Sequence, residues 1–502
     1  MSSLANGPSL DNTLKFNYSD GSRVHTLEGD DDPRLTQREV DQEIQDEEEP
    51  EVEEFIKKYG EIKVSYINPP TLNPWFTKPY ALNYFFKGKL FRTRHERTSG
   101  KLELFLDLIY VGIVANLASS AVEEHTGLSF LKFFLLFIPA WTVWCDLKEF
   151  MNYYYNEDLL QRILVIWTIC LLVVYDNNCE YFDELDNHTA RVTTVLAYFL
   201  ARISFGIIIL FYSIFIREHR LQMRMFSTTL LITSSLWWLI LLIHNNWGRC
   251  IFAAILFSIE QLCWVLSIHP WTKKKLKLEY STALNIEHED ERFQSFYIIA
   301  VGEFLYNLVA DSELKQGWNK RLSKGLSVII ISFLFLGFYA QKDGCRRAVH
   351  ALRRSALAAT LYVYSHLFLI ASLLITGDAG VDLAKYGGKY LEHEEFGLLI
   401  FFHSGILVTL SFLTLLACLD KEKPNLSDCS IHSKLGRVGR IGFRIPVGCL
   451  IFGLSWAYKR LTIEKIMWMD CVFLIILFTY EFIVMNPLDL KEFREQFNQE
   501  EV

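Results

Sequence analysis

The chain has 502 residues, of which 51% are hydrophobic, 15% aromatic and 22% charged, with a formal net charge of −8. Residues 1–60 hold 16 Asp/Glu and 6 Lys/Arg, a net of −10, so the remainder sums to −8 + 10 = +2. An acidic polar tail joined to a nearly neutral, apolar body excludes a secreted disulfide scaffold, a collagenous chain and a nucleic-acid binder that works by bulk positive charge.

In chain order, residues 1–60 have too few large apolar side chains to offset the entropy of ordering, and are predicted to be a disordered cytoplasmic tail. No basic–apolar–cleavage pattern opens the chain, so the first apolar segment is expected to direct insertion itself. Residues 61–101 read as an interfacial, basic juxtamembrane segment. They carry Trp75, Phe76, Tyr80, Tyr84, Phe85 and Phe86, then Lys87, Lys89, Arg92, Arg94, Arg97 and Lys101. Aromatics and cations in that order suit the cytoplasmic face of a membrane.

About 20 apolar residues cross about 30 Å of hydrocarbon. Twelve runs meet or approach that length: 102–121, 127–147, 159–176, 192–215, 226–244, 249–268, 294–310, 325–341, 355–376, 396–418, 441–457 and 465–485. The run 441–457 carries Arg444 and Pro446 and is expected to be kinked or re-entrant. The expected fold is an all-α, polytopic transmembrane helical bundle of about 12 spans, arranged as two parallel six-helix halves. The halves are 102–268 and 294–485, joined by a cytoplasmic linker 269–293 and followed by a cytoplasmic C-terminal tail 486–502.

The even-numbered loops collect Arg217, Arg220 and Arg224, then Lys273, Lys274, Lys275 and Lys277, then Lys342, Arg346, Arg347, Arg353 and Arg354, then Lys421, Lys423, Lys434, Arg437 and Arg440. The opposite loops are lean in Lys/Arg except 311–324. This positive-inside pattern puts both termini in the cytoplasm, with the plasma membrane or an endomembrane as home. Asn187-His188-Thr189 is a glycosylation sequon in an outer loop, consistent with that orientation. The ten cysteines are scattered without Cys-x-x-Cys pairs, so neither a disulfide framework nor a metal site is read from them.

An ionisable group at mid-membrane costs about 2.5–3.5 kcal/mol on insertion scales, so each one needs a reason. Glu103 and Asp107 lie four residues apart on one face of the first helix. In the seventh, Arg292, Phe296, Ile299, Glu303, Asn307 and Asp311 fall on a common stripe. Arg202, Glu260, His366, His403, Asp470 and Glu481 are the other polar interruptions. Interhelical hydrogen bonds, ion pairs or helix-end placement account for several of these. The functional alternative is a carboxylate at depth that exchanges a proton or holds a cation. His288 and Glu291 are spaced as two metal ligands, but two ligands do not make a site.

The run Glu103-Leu104-Phe105-Leu106-Asp107-Leu108-Ile109-Tyr110-Val111 resembles the ELFFDLVFV signature of the low-temperature requirement A (LtrA) membrane proteins. A second family signature, H-x-x-E-R-F-x-x-F-x-I-I-x-x-G-E, is matched by His288, Glu291, Arg292, Phe293, Phe296, Ile298, Ile299, Gly302 and Glu303. The flanks Arg97-Thr98-Ser99 and Val111 to Ala118 resemble the fungal members. Tyr198 with Arg202, and Trp144 to Asp158, are looser matches. The resemblance covers about residues 90–485 and implies a multi-pass membrane protein. The family's name describes a growth phenotype and implies no chemistry.

The function expected is a transporter or channel for a small ion, a cation or a proton. Its pathway or buried polar network would be Glu103, Asp107, Arg202, Glu260, Glu303, Asn307 and His366, with His288, Glu291 and Arg292 forming a motif at the cytoplasmic end. The competing expectation is a membrane-embedded scaffold or sensor whose acidic tail recruits partners. No enzyme motif is present. The partners expected are the lipid bilayer and the small ion, with a homodimer as one option for assembly, and with neither nucleic acid nor cofactor.

Overall fold

The computed structural model describes residues 64–67, 69–86, 89–93, 99–184, 187–310, 317–342, 348–422 and 436–485. The acidic tail, the C-terminal tail, Lys87, Arg94, Arg97 and Asp311 lie outside the described residues. The described residues are mostly helical, and among them are twelve helices long and apolar enough to cross a membrane. They are α1 (Lys101–Glu124), α2 (Gly127–Tyr154), α3 (Leu159–Cys179), α4 (His188–Phe215), α5 (Arg220–Leu236, continued by a 3-10 turn Trp237–Leu242) and α6 (Asn246–Ile268). Then come α7 (Ile286–Ala310), α8 (Lys320–Gln341), α9 (Ala356–Lys385), α10 (Phe396–Leu419), α11 (Arg437–Ala457, interrupted) and α12 (Ile463–Met485).

The local sequence explains where several helices start. Thr126, Asp158, Asn187, Asn319 and Ser355 each precede a helix, and their side chains accept an N–H from its first turn. Such caps satisfy donors that have no partner inside the helix. On α6, Ile251, Ile255, Ile259 and Leu262 recur at helical spacing and are exposed, as an apolar stripe facing lipid should be. The interruption of α11 also has a local cause. Its pieces are Arg437–Ile441, Arg444–Leu454 and the 3-10 turn Ser455–Ala457, so Pro446 sits in a first turn, where its missing N–H costs nothing. Arg444 is fully buried because Glu481 takes it from two sides, Nε to Oε1 at 2.8 Å and Nη2 to Oε2 at 2.7 Å.

The juxtamembrane segment differs from a purely helical expectation. Short strands β1 (Val64–Ile67), β2 (Asn83–Phe86), β3 (Lys89–Thr93) and β4 (Tyr280–Thr282) form one sheet in the order β1-β3-β2-β4. β1 runs parallel to β3, and the other two pairings are antiparallel. The segment before α1 is thereby joined to the linker between α6 and α7 at one end of the bundle, called here the sheet end.

Helix packing repeats with an offset of six. The neighbours α1–α2, α1–α3, α3–α4, α4–α5 and α5–α6 recur as α7–α8, α7–α9, α9–α10, α10–α11 and α11–α12. The two sets meet chiefly where α1 packs on α7 and α9.

Candidate functional site

The first-helix carboxylates lie at the contact between α1 and α7. Glu103 accepts the Gly100 N–H (2.6 Å) and faces His288 Nε2 (3.0 Å). That nitrogen carries the proton, because a carboxylate only accepts, and Nδ1 then accepts from Asn152 Nδ2 (3.2 Å). One turn deeper, Asp107 Oδ1 accepts from Arg292 Nη2 (2.6 Å) and from Trp144 Nε1 (2.8 Å). All four ionisable side chains are fully buried. Glu291 accepts the Ser99 N–H (3.1 Å) just before α1 begins. Arg92 joins Glu287 (3.3 Å), so sheet and helix are tied at the same end.

The hub of the polar network is the second half of α2. Over nine residues it turns a polar group toward each neighbour. Trp144 meets Asp107 on α1, Asp146 pairs with Arg202 on α4, Lys148 pairs with Glu289 on α7, Glu149 accepts from Trp264 Nε1 on α6 (3.0 Å), and Asn152 brackets Asn285. Lys148 also lies over the Phe293 ring, 4.2 Å from its centroid.

Arg202 is fourteen residues into a 28-residue helix, about 21 Å from its start at 1.5 Å per residue, which is mid-membrane. It links Asp146 to Glu260 of α6, whose Oε2 is 4.0 Å away. Glu260 is 3% exposed and held by two further donors, Tyr198 Oη to Oε2 (2.7 Å) and Trp237 Nε1 to Oε1 (3.0 Å). The second set of six helices carries the same device in different chemistry. His403 of α10 meets Asp470 of α12 (2.9 Å) and Ser455 (2.8 Å). Ser455 stands in the 3-10 turn that ends α11, as Trp237 stands in the one that ends α5.

Two cavities approach this network from opposite ends. One, of about 310 Å³, opens away from the sheet between Glu124, Asp183 and Asn246, and reaches Tyr198 and Trp237. Its wall includes Pro139, which removes a helical hydrogen bond inside α2. The other, of about 440 Å³, lies at the sheet end and reaches Glu149, Glu289 and Trp264. Lys273 lines it, and burial pulls that ammonium down to about 8. Between the cavity floors stand Glu260, Arg202 and Asp146. Two buried carboxylates, Asp146 and Glu260, thus face one cation, Arg202, so full ionisation would leave one negative charge in excess.

The other expected residues sit apart from these cavities. Glu303 and Asn307 are half-buried on the second half of α7, away from the lining of both cavities. His366 is fully buried and satisfied, with Nδ1 donating to the Tyr362 carbonyl (2.8 Å) and Nε2 accepting from Tyr339 (3.1 Å). Asn187 accepts the Ala190 N–H (3.1 Å) as the cap of α4. Among the described residues, no three His, Cys, Asp or Glu side chains are placed to hold a metal. Asp146, Lys148, Glu149 and Glu289 were missed by reasoning from the sequence. The available signal was three charged residues in the nine of Asp146 to Tyr154 and five in the nine of Glu287 to Ser295, read as helix ends because each run borders an apolar stretch.

A family model described as "Bacterial low temperature requirement A protein (LtrA)" matches residues 98–477. It covers both signature runs, and nothing in it singles out the fungal members that the flanks resemble. A comparison with curated proteins gave no match.

Proposed function

This chain belongs to the LtrA family of multi-pass membrane proteins, and we propose that it moves protons across the membrane through α2, α4 and α6. The observation that carries this reading is the pair of cavities from opposite ends that stop at Tyr198–Glu260 and at Glu149, with Arg202 and Asp146 between. An excess of buried carboxylates over cations favours taking up protons, because an uncompensated charge is costly there. The partners of Glu260 favour a proton over a metal cation. Tyr198, Trp237 and Arg202 all turn N–H or O–H groups toward it, whereas a dehydrated cation needs a shell of oxygen acceptors. The basic loops favour the sheet end as the cytoplasmic one, and in that orientation protons would reach Glu260 from outside and leave past Glu149.

The test is proton flux into liposomes containing the purified full chain and an internal pH-sensitive dye, driven by a potential. Wild type should acidify the lumen, while Glu260→Gln and Asp146→Asn should slow it by at least about tenfold, in the range of other acid–base groups. Wild-type liposomes no leakier than empty ones would overturn the proposal.

A second reading concerns the α1–α7 contact alone. Glu103, Asp107, His288 and Arg292 are wholly enclosed and mutually paired, which favours a lock between helices. If the whole network is only a lock, the protein is a scaffold whose acidic tail recruits partners. Deleting residues 1–60 would then abolish cellular function while liposomes stay proton-tight.

A further inference from the structure

The cavity away from the sheet is mostly apolar, with aromatic walls from Tyr175, Phe182 and Phe257, and its floor is formed by Tyr198 and Trp237. At about 310 Å³ it matches the lower end of small-molecule sites, which combine apolar walls with a few placed polar groups. Here the floor groups are the same two that hold Glu260 from behind. We propose that this cavity binds a small, ring-bearing, largely apolar solute with one hydrogen-bonding end, and that protonation of Glu260 sets which end it accepts. The inference rests on the proton pathway proposed above for the role of Glu260, and it adds a second ligand to that site.

The coupling follows from donors and acceptors. With Glu260 ionised, the Tyr198 hydroxyl spends its hydrogen on Oε2 and offers the cavity only lone pairs. When Oε2 takes a proton, it becomes the donor to the Tyr198 oxygen. The phenolic hydrogen then turns toward the cavity, and the floor can donate to a carbonyl. Trp237 still donates to Oε1 in both states, so it does not switch. No bond but the O–H changes, and the proton comes from bulk water through the cavity mouth.

The groups facing Glu260 are Tyr198 and Arg202 from α4, Trp237 from the 3-10 turn, and Cys263 from its own helix. Asp146 of α2 lies behind Arg202, and Tyr175 of α3 beside Tyr198. Arg202 stays charged, which leaves Glu260 as the group able to switch the floor.

Fluorine NMR on the full chain in phosphatidylcholine nanodiscs tests this with two probes, 4-fluoroacetophenone as an acceptor and 5-fluoroindole as a donor. The acceptor probe should bind saturably at acid pH and lose affinity by about tenfold as pH rises, the donor probe moving the opposite way. Glu260→Gln places an amide NH₂ against Tyr198, copying the protonated state, and should bind the acceptor probe independently of pH. Tyr198→Phe should flatten both profiles. Ala253→Phe should fill the cavity and abolish binding while Glu260 stays in place, with thermal unfolding measured to show that it folds. Non-saturable uptake that ignores all three substitutions would mean that lipid chains occupy the cavity, and would overturn the proposal. So would saturable binding with no pH dependence. Binding is read without a gradient, so liposomes without proton flux refute the pathway, and pH-blind probes refute the site.

Discussion

The Asp107–Arg292 pair permits a quantitative test of the α1–α7 lock. Asp107→Ala removes the carboxylate that accepts from both Arg292 and Trp144. Two costs follow, and they differ in size. Trp144 loses one neutral donor's partner, worth about 0.6–1.7 kcal/mol between membrane helices. Arg292 is left as a buried charge, which costs about 3–5 kcal/mol when one partner of such a pair is deleted. Its Nε and Nη1 have no hydrogen-bond partner among the described residues, so Asp107 is the acceptor it depends on. The single substitution should therefore destabilise by about 4–6 kcal/mol, nearly all of it from the stranded guanidinium. Arg292→Met should cost a similar amount by stranding the carboxylate, and the double variant should recover about 3 kcal/mol of the combined loss. Trp144→Phe isolates the smaller contribution. The assay is reversible unfolding of the full chain in mixed micelles, titrated with a denaturing detergent, for all four forms. Costs that add to within about 0.5 kcal/mol would show that the two charges are energetically independent. That result would refute the lock, whatever the distances between the atoms.

Three further outcomes follow from single sites. Gly405 packs so closely on α9 that a methyl group would overlap the Thr376 hydroxyl, whereas Gly453 has open space around it. Gly405→Ala should cost about 1–3 kcal/mol by overpacking and Gly453→Ala should be neutral or mildly stabilising, both read from melting temperature. His219 lies between α4 and α5, where burial first and then the charge of Lys273 pull its imidazole down to about 3. The unfolded chain binds that proton from about pH 6.5 downward and the folded chain does not, so stability falls from pH 6.5 toward 3, on the order of 5 kcal/mol in all. His219→Asn should flatten that slope in the same detergent titration run at several pH values. Lys273 is also depressed, to about 8, so its contribution has the same sign in a higher window: stability rises between pH 8 and 10.5, and Lys273→Met should remove that rise.

Much of the fold was legible because membranes impose simple rules on length and polarity. All twelve runs correspond to spanning helices, and the suspicion about 441–457 corresponds to the break before Arg444. The costly charges were legible for the same reason, but their partners were not. Asp107 pairs with Arg292, 185 positions away, while Arg202 pairs with Asp146 and Glu260. Two arginines buried on helices look alike in a sequence, because depth is encoded by the apolar run and lateral neighbours are not. α2 shows a second blind spot. Its apolar run fades at 147, yet the helix continues to Tyr154, because its late charges are neutralised by α4 and α7 instead of by water. The strands escaped notice as well. β2 and β4 are only four and three residues long and pair across nearly 200 positions, too short for an alternating pattern to register.

The repeat sharpens where the chemistry should lie. Each set of six helices sends a residue from its fourth helix to a carboxylate on its sixth, with help from the 3-10 turn that ends its fifth. In the second set the helper is His403, both of whose ring nitrogens are taken, by Asp470 and Ser455. That imidazole and its carboxylate are both fully buried. In the first set the helper is Arg202, which cannot give up a proton, and it already serves Asp146. Three charged groups, Asp146, Arg202 and Glu260, then sum to −1, and only an external proton can cancel it. That set is also the one whose carboxylate lies behind a cavity wall, at Tyr198 and Trp237. One arrangement of helices thus sets a histidine opposite the buried acid in one half and an arginine shared with a second acid in the other, and the arginine-facing acid is the one behind the cavity wall.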